Sequence, residues 1–83
     1  MITIYTKENC IFCEQAKLVM TNRNLVFTEK KLGLDFTRDD IVKNFPSMKT
    51  YPVIVNDGNL IGGFTEFITE LHNGSTFTQM LNG

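Results

Sequence analysis

The stretch "KENCIFCEQAK", residues 7–17, holds both cysteines of the chain, Cys10 and Cys13, two residues apart. Ahead of it, "ITIYT" (Ile2–Thr6) alternates and is dense in β-branched and aromatic residues, so it reads as a strand. Behind it, Cys13, Ala16, Val19 and Met20 fall close to one helical stripe that fades near Thr21–Asn24. The pair thus stands where a strand gives way to a helix, with Cys10 at the helix N-terminus and Cys13 one turn in.

Short elements alternate along the remaining sequence. "LVFTEKKL" (Leu25–Leu32) reads as a second strand and "DFTRDDIVKNFP" (residues 35–46) as a second helix. Thr37 is the N-cap of that helix, Asp39 and Asp40 favour its positive end, and Phe36 and Ile41 have the spacing of a hydrophobic staple. Pro46 halts the helix at Phe45. "PVIVNDGNLIGG" reads as a hairpin: strand Pro52–Val55, a turn at Asp57-Gly58, strand Asn59–Ile61. Phe64, Phe67, Ile68 and Leu71 mark a third helix closed by Asn73-Gly74. A last turn or two over Thr76–Leu81 opens on a Thr76-x-x-Gln79 capping-box spacing. Two strands around a helix are expected to be parallel with a right-handed crossover, and the hairpin adds two antiparallel strands. The order β-α-β-α-β-β-α, with the last turn after it, implies an α/β fold: a mixed four-stranded sheet with helices on both faces.

The 83 residues make one domain, residues 1–83, with a modest core. Net charge is −1, with no basic or acidic block, which argues against nucleic-acid or membrane-surface partners. "MITIYTKENC" lacks the charged and apolar regions of a signal peptide, and no stretch has the length to span a bilayer. The expectation is a soluble protein of a reducing cytoplasm. There, two cysteines more often exchange electrons or bind metal than serve as a permanent staple.

A helix N-terminus offers unpaired N–H groups and partial positive charge, which stabilise a thiolate at Cys10. Lys7, three residues earlier, adds to that field. Cys13, on the stripe of Ala16 and Met20, is expected beneath the surface. An exposed nucleophile above a waiting thiol suits thiol–disulfide exchange: Cys10 attacks, a mixed disulfide forms, and Cys13 resolves it. A zinc site needs four ligands, whereas the chain offers two Cys and one distant His72, so no metal is expected within one chain. A static clip would close too short a loop to restrain the unfolded chain much.

"YTKENCIFC", then "TYP", then "IGGF" resemble the glutaredoxins of the thioredoxin superfamily, in the same order and at similar spacings over nearly the whole chain. The resemblance implies a thioredoxin-like fold and a glutathione-dependent oxidoreductase acting on protein disulfides and glutathione mixed disulfides. It implies a cis peptide at Pro52, which presents the backbone of Tyr51 to the cysteinyl part of glutathione. It implies that Lys7 faces the glycine carboxylate and that Phe12 flanks the thiolate. Gly63, Phe64 and Thr65 would cradle the γ-glutamyl end at a helix N-terminus. Glutathione is the implied co-substrate, disulfide-bearing proteins are the clients, with ribonucleotide reductase a natural one, and the chain is expected to act as a monomer.

Four departures from the family's usual pattern stand out. Ile11 replaces a Pro between the cysteines, and Tyr51 replaces a Val before Pro52. Thr65 and Glu66 stand where Asp is common, with Thr65 expected to cap the helix and Glu66 available to the γ-glutamyl ammonium. The second basic contact falls to Lys49, Lys43 or Arg38. Two other readings share the motif: a glutaredoxin-like electron donor reduced by thioredoxin reductase, and a module in which Cys10 holds a glutathione-ligated iron–sulfur cluster between two chains. By themselves Lys7 also reads as a solvated charge, Phe12 as helix packing, Tyr51 as core cover, and Gly62 and Gly63 as the end of a strand. His72 reads as an ordinary helix C-terminal residue.

Overall fold

A computed structural model of the protein describes residues 1–73; Gly74 and the expected last helix, Thr76–Leu81, lie outside the described residues. The chain runs β1 (Ile2–Thr6), α1 (Ile11–Asn22), β2 (Phe27–Lys31), α2 (Arg38–Asn44), β3 (Val53–Asn56), β4 (Asn59–Gly62) and α3 (Phe64–His72). The sheet order is β2-β1-β3-β4, with β1 parallel to β2 and the other pairs antiparallel. This is a thioredoxin-like mixed sheet with three helices.

The alternation in β1 divides the core. Ile2 and Ile4 join Ile54 of β3 against Ala16 and Met20 of α1 and Phe67 and Leu71 of α3. On the other face Val53 and Val55 meet Phe36 and Ile41, with Tyr5, Phe45 and Tyr51 around them. One face thus carries α1 and α3, and the other carries α2. Phe67 is fully buried at the centre of the first cluster, where truncation to Ala would cost about 3–5 kcal/mol.

The strand and helix ends differ from the sequence reading by a residue or two, each for a visible reason. β2 begins at Phe27, not Leu25. Asn24 adopts φ 59° and the Leu25 N–H still bonds the Met20 carbonyl at 2.9 Å, so Leu25 is buried in the turn off α1. β2 ends at Lys31; Leu32 keeps one bond to the Thr6 carbonyl, at 2.9 Å, as the chain turns away. β3 runs Val53–Asn56 rather than from Pro52, whose nitrogen has no proton for the ladder. β4 extends through Gly62, and α2 stops at Asn44 with Phe45 as its C-cap. The hairpin turn places Asp57 at φ 52° and Gly58 at φ 83°, the two positive values a two-residue turn of this twist requires.

At α2 the expected Thr37 cap is one half of a reciprocal pair. The Asp40 N–H donates to the Thr37 hydroxyl at 3.3 Å, and the Thr37 N–H donates to the Asp40 carboxylate at 2.8 Å. Phe36 and Ile41, the expected staple, are both buried in the same cluster.

Candidate active site at the Cys10–Cys13 pair

β1 ends at Thr6, and Lys7, Glu8 and Asn9 turn the chain into α1, with Asn9 at φ 55°. Asn tolerates this left-handed conformation better than most residues. The turn delivers Cys10 to the N-cap of α1, where its extended backbone (φ −114°, ψ 101°) aims the sulfur back over the helix. Cys10 Sγ accepts the Cys13 N–H at 3.1 Å. The two cysteines are joined as a disulfide with Cα atoms 5.2 Å apart. Cys13 is fully buried, while Cys10 is half-buried with its sulfur 3.8 Å from the Tyr51 carbonyl oxygen. After reduction the same N–H and the helix dipole favour a thiolate at Cys10, because both stabilise negative charge there.

The Tyr51–Pro52 peptide is cis, and Pro52 is fully buried. Cys10 opens onto a groove of about 640 Å³ that Lys7, Phe12 and Tyr51 also line. Lys7 Nζ lies 5.9 Å from the centroid of the Tyr51 ring, a cation–π contact. Of the three candidate second cations, Arg38 and Lys49 line this groove and Lys43 does not. Ile41, Val42, Pro46 and Met48 supply its apolar floor and wall, a contribution the sequence reading did not single out.

Gly63, Phe64 and Thr65 do not line that groove; they reach its neighbourhood indirectly. Phe64 stacks on Phe12, ring centroids 5.6 Å apart and planes 30° apart. A Cβ on the buried Gly63 would lie 3.6 Å from the Pro52 carbonyl oxygen and 3.9 Å from the Met48 methyl, so the glycine sits close against the cis-proline segment. The expectation that Thr65 caps α3 is corrected: Gly63 is the N-cap and Thr65 is exposed in the first turn. Glu66 takes the capping role instead, its carboxylate accepting the Gly63 N–H at 2.8 Å. It is therefore engaged with its own helix rather than held out toward an ammonium group. Gly62 is more than a strand end: its φ is +130°, and an added Cβ would stand 2.8 Å from the Glu66 side chain. The G-G-x-x-E spacing was the available signal for this arrangement.

A polar network on the α1 face also escaped the sequence reading. The buried Thr6 hydroxyl donates to Glu29 at 2.8 Å, and Lys17 bridges Glu29 at 3.1 Å and Glu14 at 2.9 Å. Lys17 is held above its ordinary value, chiefly by its hydrogen bond to Glu14, with Glu29 adding to it against the effect of burial. Burial pushes Glu29 up, but the Thr6 and Lys17 hydrogen bonds and the lysine charges outweigh it and hold the carboxyl low. Residues from β1, β2 and α1 meet here, a juxtaposition that only the folded chain creates. Among the described residues, no group of three or more His, Cys, Asp or Glu is placed to hold a metal, and no helix is long and apolar enough to cross a membrane.

A mixed four-stranded sheet carrying a C-x-x-C pair at a helix N-terminus, opposite a cis-proline, defines a thiol–disulfide oxidoreductase of the thioredoxin-like class. The family model for glutaredoxin matches residues 2–61, and the chain belongs to the glutaredoxin family. Glutaredoxin 3 of Escherichia coli K12 is 33% identical over 63 residues, 75% of each chain. An uncharacterized glutaredoxin-like 8.6 kDa protein from the rubredoxin operon of Clostridium pasteurianum is 29% identical over 66 residues, 80% of this chain and 88% of that protein. The crystal structure of a buckwheat glutaredoxin–glutathione complex superposes with a TM-score of 0.77 at 16% identity, covering 98% of this chain and 78% of that one, which is a likeness of fold.

Proposed function

We propose that the protein is a glutathione-dependent dithiol oxidoreductase that reduces protein disulfides and glutathione mixed disulfides, with Cys10 as nucleophile and Cys13 as resolving thiol. The observation that carries this reading is the groove headed by Cys10: Lys7, Arg38 and Lys49 line it, and among the described residues no acidic side chain does. Glutathione brings two carboxylates and one ammonium, so a cationic groove ending at a sulfur matches both its charge and its thiol. The Tyr51 backbone beside the sulfur supplies an extended edge for the cysteinyl residue. Family membership and the fold shared with a glutathione-bound relative point the same way.

In the proposed cycle the Cys10 thiolate attacks the glutathionyl sulfur of a mixed disulfide, and the client thiolate leaves and takes a proton from water. A second glutathione thiolate then attacks the Cys10-bound sulfur, releasing oxidised glutathione and restoring Cys10. With a protein disulfide, Cys13 displaces the client from Cys10, and two glutathiones reduce the resulting Cys10–Cys13 disulfide. Disulfide-bearing proteins of a reducing cytoplasm are the proposed clients, ribonucleotide reductase among them by resemblance, and the protein is proposed to act as a monomer. Phe12, which lines the groove and stacks on Phe64, would face the γ-glutamyl end, with Phe64, Gly63 and Thr65 behind it.

A second reading is favoured by one observation: the Gly63 N–H is already taken by Glu66 and none of Gly63–Thr65 lines the groove. An electron donor served by thioredoxin reductase would need no γ-glutamyl site. A coupled NADPH assay separates the two. Turnover with glutathione and glutathione reductase supports the first reading; turnover with thioredoxin reductase alone replaces it. NMR titration with oxidised glutathione is expected to shift Lys7 and Tyr51, and no shift at either would remove glutathione from the proposal.

A further inference from the structure

Cys10 stands between two grooves whose chemistry differs. The first is the cationic groove already described. The second, about 1160 Å³, shares Lys7, Cys10, Ile11 and Leu32 with it and continues to Leu34. Three lysines and three glutamates line this second groove, and Lys17 holds two of those glutamates in ion pairs. It is therefore neutral where the first is positive. Its apolar surface comes from Ile11, Leu32 and Leu34, with Ile11 72% and Leu34 79% exposed.

Leu34 is held in water by a tied turn. The Gly33 N–H bonds the Phe36 carbonyl at 2.8 Å, the Asp35 N–H bonds the Lys31 carbonyl at 2.8 Å, and the Lys31 N–H bonds the Asp35 carboxylate at 2.9 Å. Keeping a leucine side chain out on a fixed turn forgoes the free energy its burial would release. Neither the sheet nor the proposed glutathione groove uses it.

We propose that the second groove seats the uncharged, aliphatic polypeptide segment flanking the reacting cysteine of a client protein, while the cationic groove holds the glutathionyl half of the same mixed disulfide. This rests on the glutathione reading above. Continuity carries the assignment: both grooves meet at the sulfur of Cys10, so the two halves of one disulfide can be held together. Charge divides them, since the anionic tripeptide suits the lysine and arginine side and a segment without net charge suits the neutral side. The neutral groove is also the larger, as a polypeptide segment requires. During exchange the bond between Cys10 and the glutathionyl sulfur forms as the bond to the client sulfur breaks. The electron pair departs with the client thiolate, which takes a proton from water, and the client leaves from the second groove.

The test uses two cysteine-containing octapeptides as glutathione mixed disulfides, one with Leu and Ile beside the cysteine and one with Asp and Lys. The glutathione–cysteamine mixed disulfide is the non-peptide reference. The aliphatic peptide is expected to show a kcat/KM roughly three- to ten-fold above the charged one, the scale of partly burying one or two aliphatic side chains. Leu34→Ser should abolish that preference and leave the cysteamine substrate unchanged; Leu34→Ala, with its milder surface change, should halve it or more. No preference in the unaltered protein, a preference that survives both variants, or an equal slowing of all three substrates would overturn the proposal. So would a concentration-dependent dimer in sedimentation equilibrium that Leu34→Ser dissolves, because a second copy would then occupy the face. Repeating the comparison with peptide–peptide disulfides and dithiothreitol as electron source tests the groove without glutathione. A flank preference there supports it even if glutathione fails to bind, and its absence there overturns it even if glutathione binds.

Discussion

The backbone N–H of Cys13 points at the sulfur of Cys10 across 3.1 Å, so the half-buried cysteine's side chain caps the helix by accepting the buried cysteine's own amide. In the reduced protein this contact stabilises negative charge on Cys10 and offers nothing comparable to Cys13. Iodoacetamide at neutral pH is therefore expected to label Cys10 first, read by peptide mapping. Earlier labelling of Cys13 would reverse the proposed roles.

Cys13→Ser should retain most activity on glutathione mixed disulfides and lose much of it on protein disulfides. The single thiol of Cys10 can pass glutathione on, but it cannot by itself release a trapped protein partner. Parallel assays on the two substrate types check this, and equal losses would count against a resolving thiol.

Lys7 sits over the Tyr51 ring at the rim of the cationic groove. Lys7→Ala is expected to raise the KM for glutathione several-fold and leave the circular dichroism spectrum unchanged. An exposed cation pairing a carboxylate contributes on the order of 1 kcal/mol or less and is weakened by salt. The KM difference between the two proteins should accordingly shrink as sodium chloride is raised.

Gly62→Ala should destabilise the protein by more than about 1 kcal/mol in urea titration, because a side chain at that positive φ is strained and its Cβ would meet Glu66 at 2.8 Å. Glu66→Ala should cost about 1 kcal/mol by leaving the Gly63 N–H without its partner, whereas Glu66→Gln retains an acceptor oxygen and should cost less. Equal effects of the two Glu66 variants would argue that the cap contributes nothing.

The Glu29–Lys17 pair sets a pH window. The folded state lowers the Glu29 pKa, so its contribution is present above the unfolded carboxyl value and is lost as pH falls through the folded one. The Lys17 pKa is raised, so its contribution is present below the unfolded ammonium value and is lost as pH rises through the folded one. This part of the stability should stay level between about pH 5 and 9 and decline on both sides, near the ordinary ranges of the two groups. Glu29→Gln should flatten the acid limb of a melting-temperature profile, and an unchanged acid limb would show that the pair does not govern it.

Local signals in the sequence were enough for the order of the elements. The alternation of Ile2–Thr6, the stripe of Cys13, Ala16 and Met20, the Thr37 cap and the Asp57-Gly58 turn each act over a few residues, and each stands where those short-range rules put it. The spacing of Cys10 and Cys13 at a strand-to-helix junction is likewise local, and so was the chemistry it pointed to. Element ends were less legible because they depend on which backbone groups find partners: Leu25 on Met20, Leu32 on Thr6. Tertiary structure alone decided the rest. It put Arg38 and Lys49 on the lining of the groove and left Lys43 off it, since groove lining depends on where α2 docks against the sheet. It stacked Phe12 on Phe64, 52 residues apart in the chain and each in the first turn of its helix. It also gathered Thr6, Lys17 and Glu29 from three elements into one half-buried network. Spacing along a chain determines what one helix or strand presents; which presented groups then meet is determined by packing, because distance in sequence carries no record of distance in space.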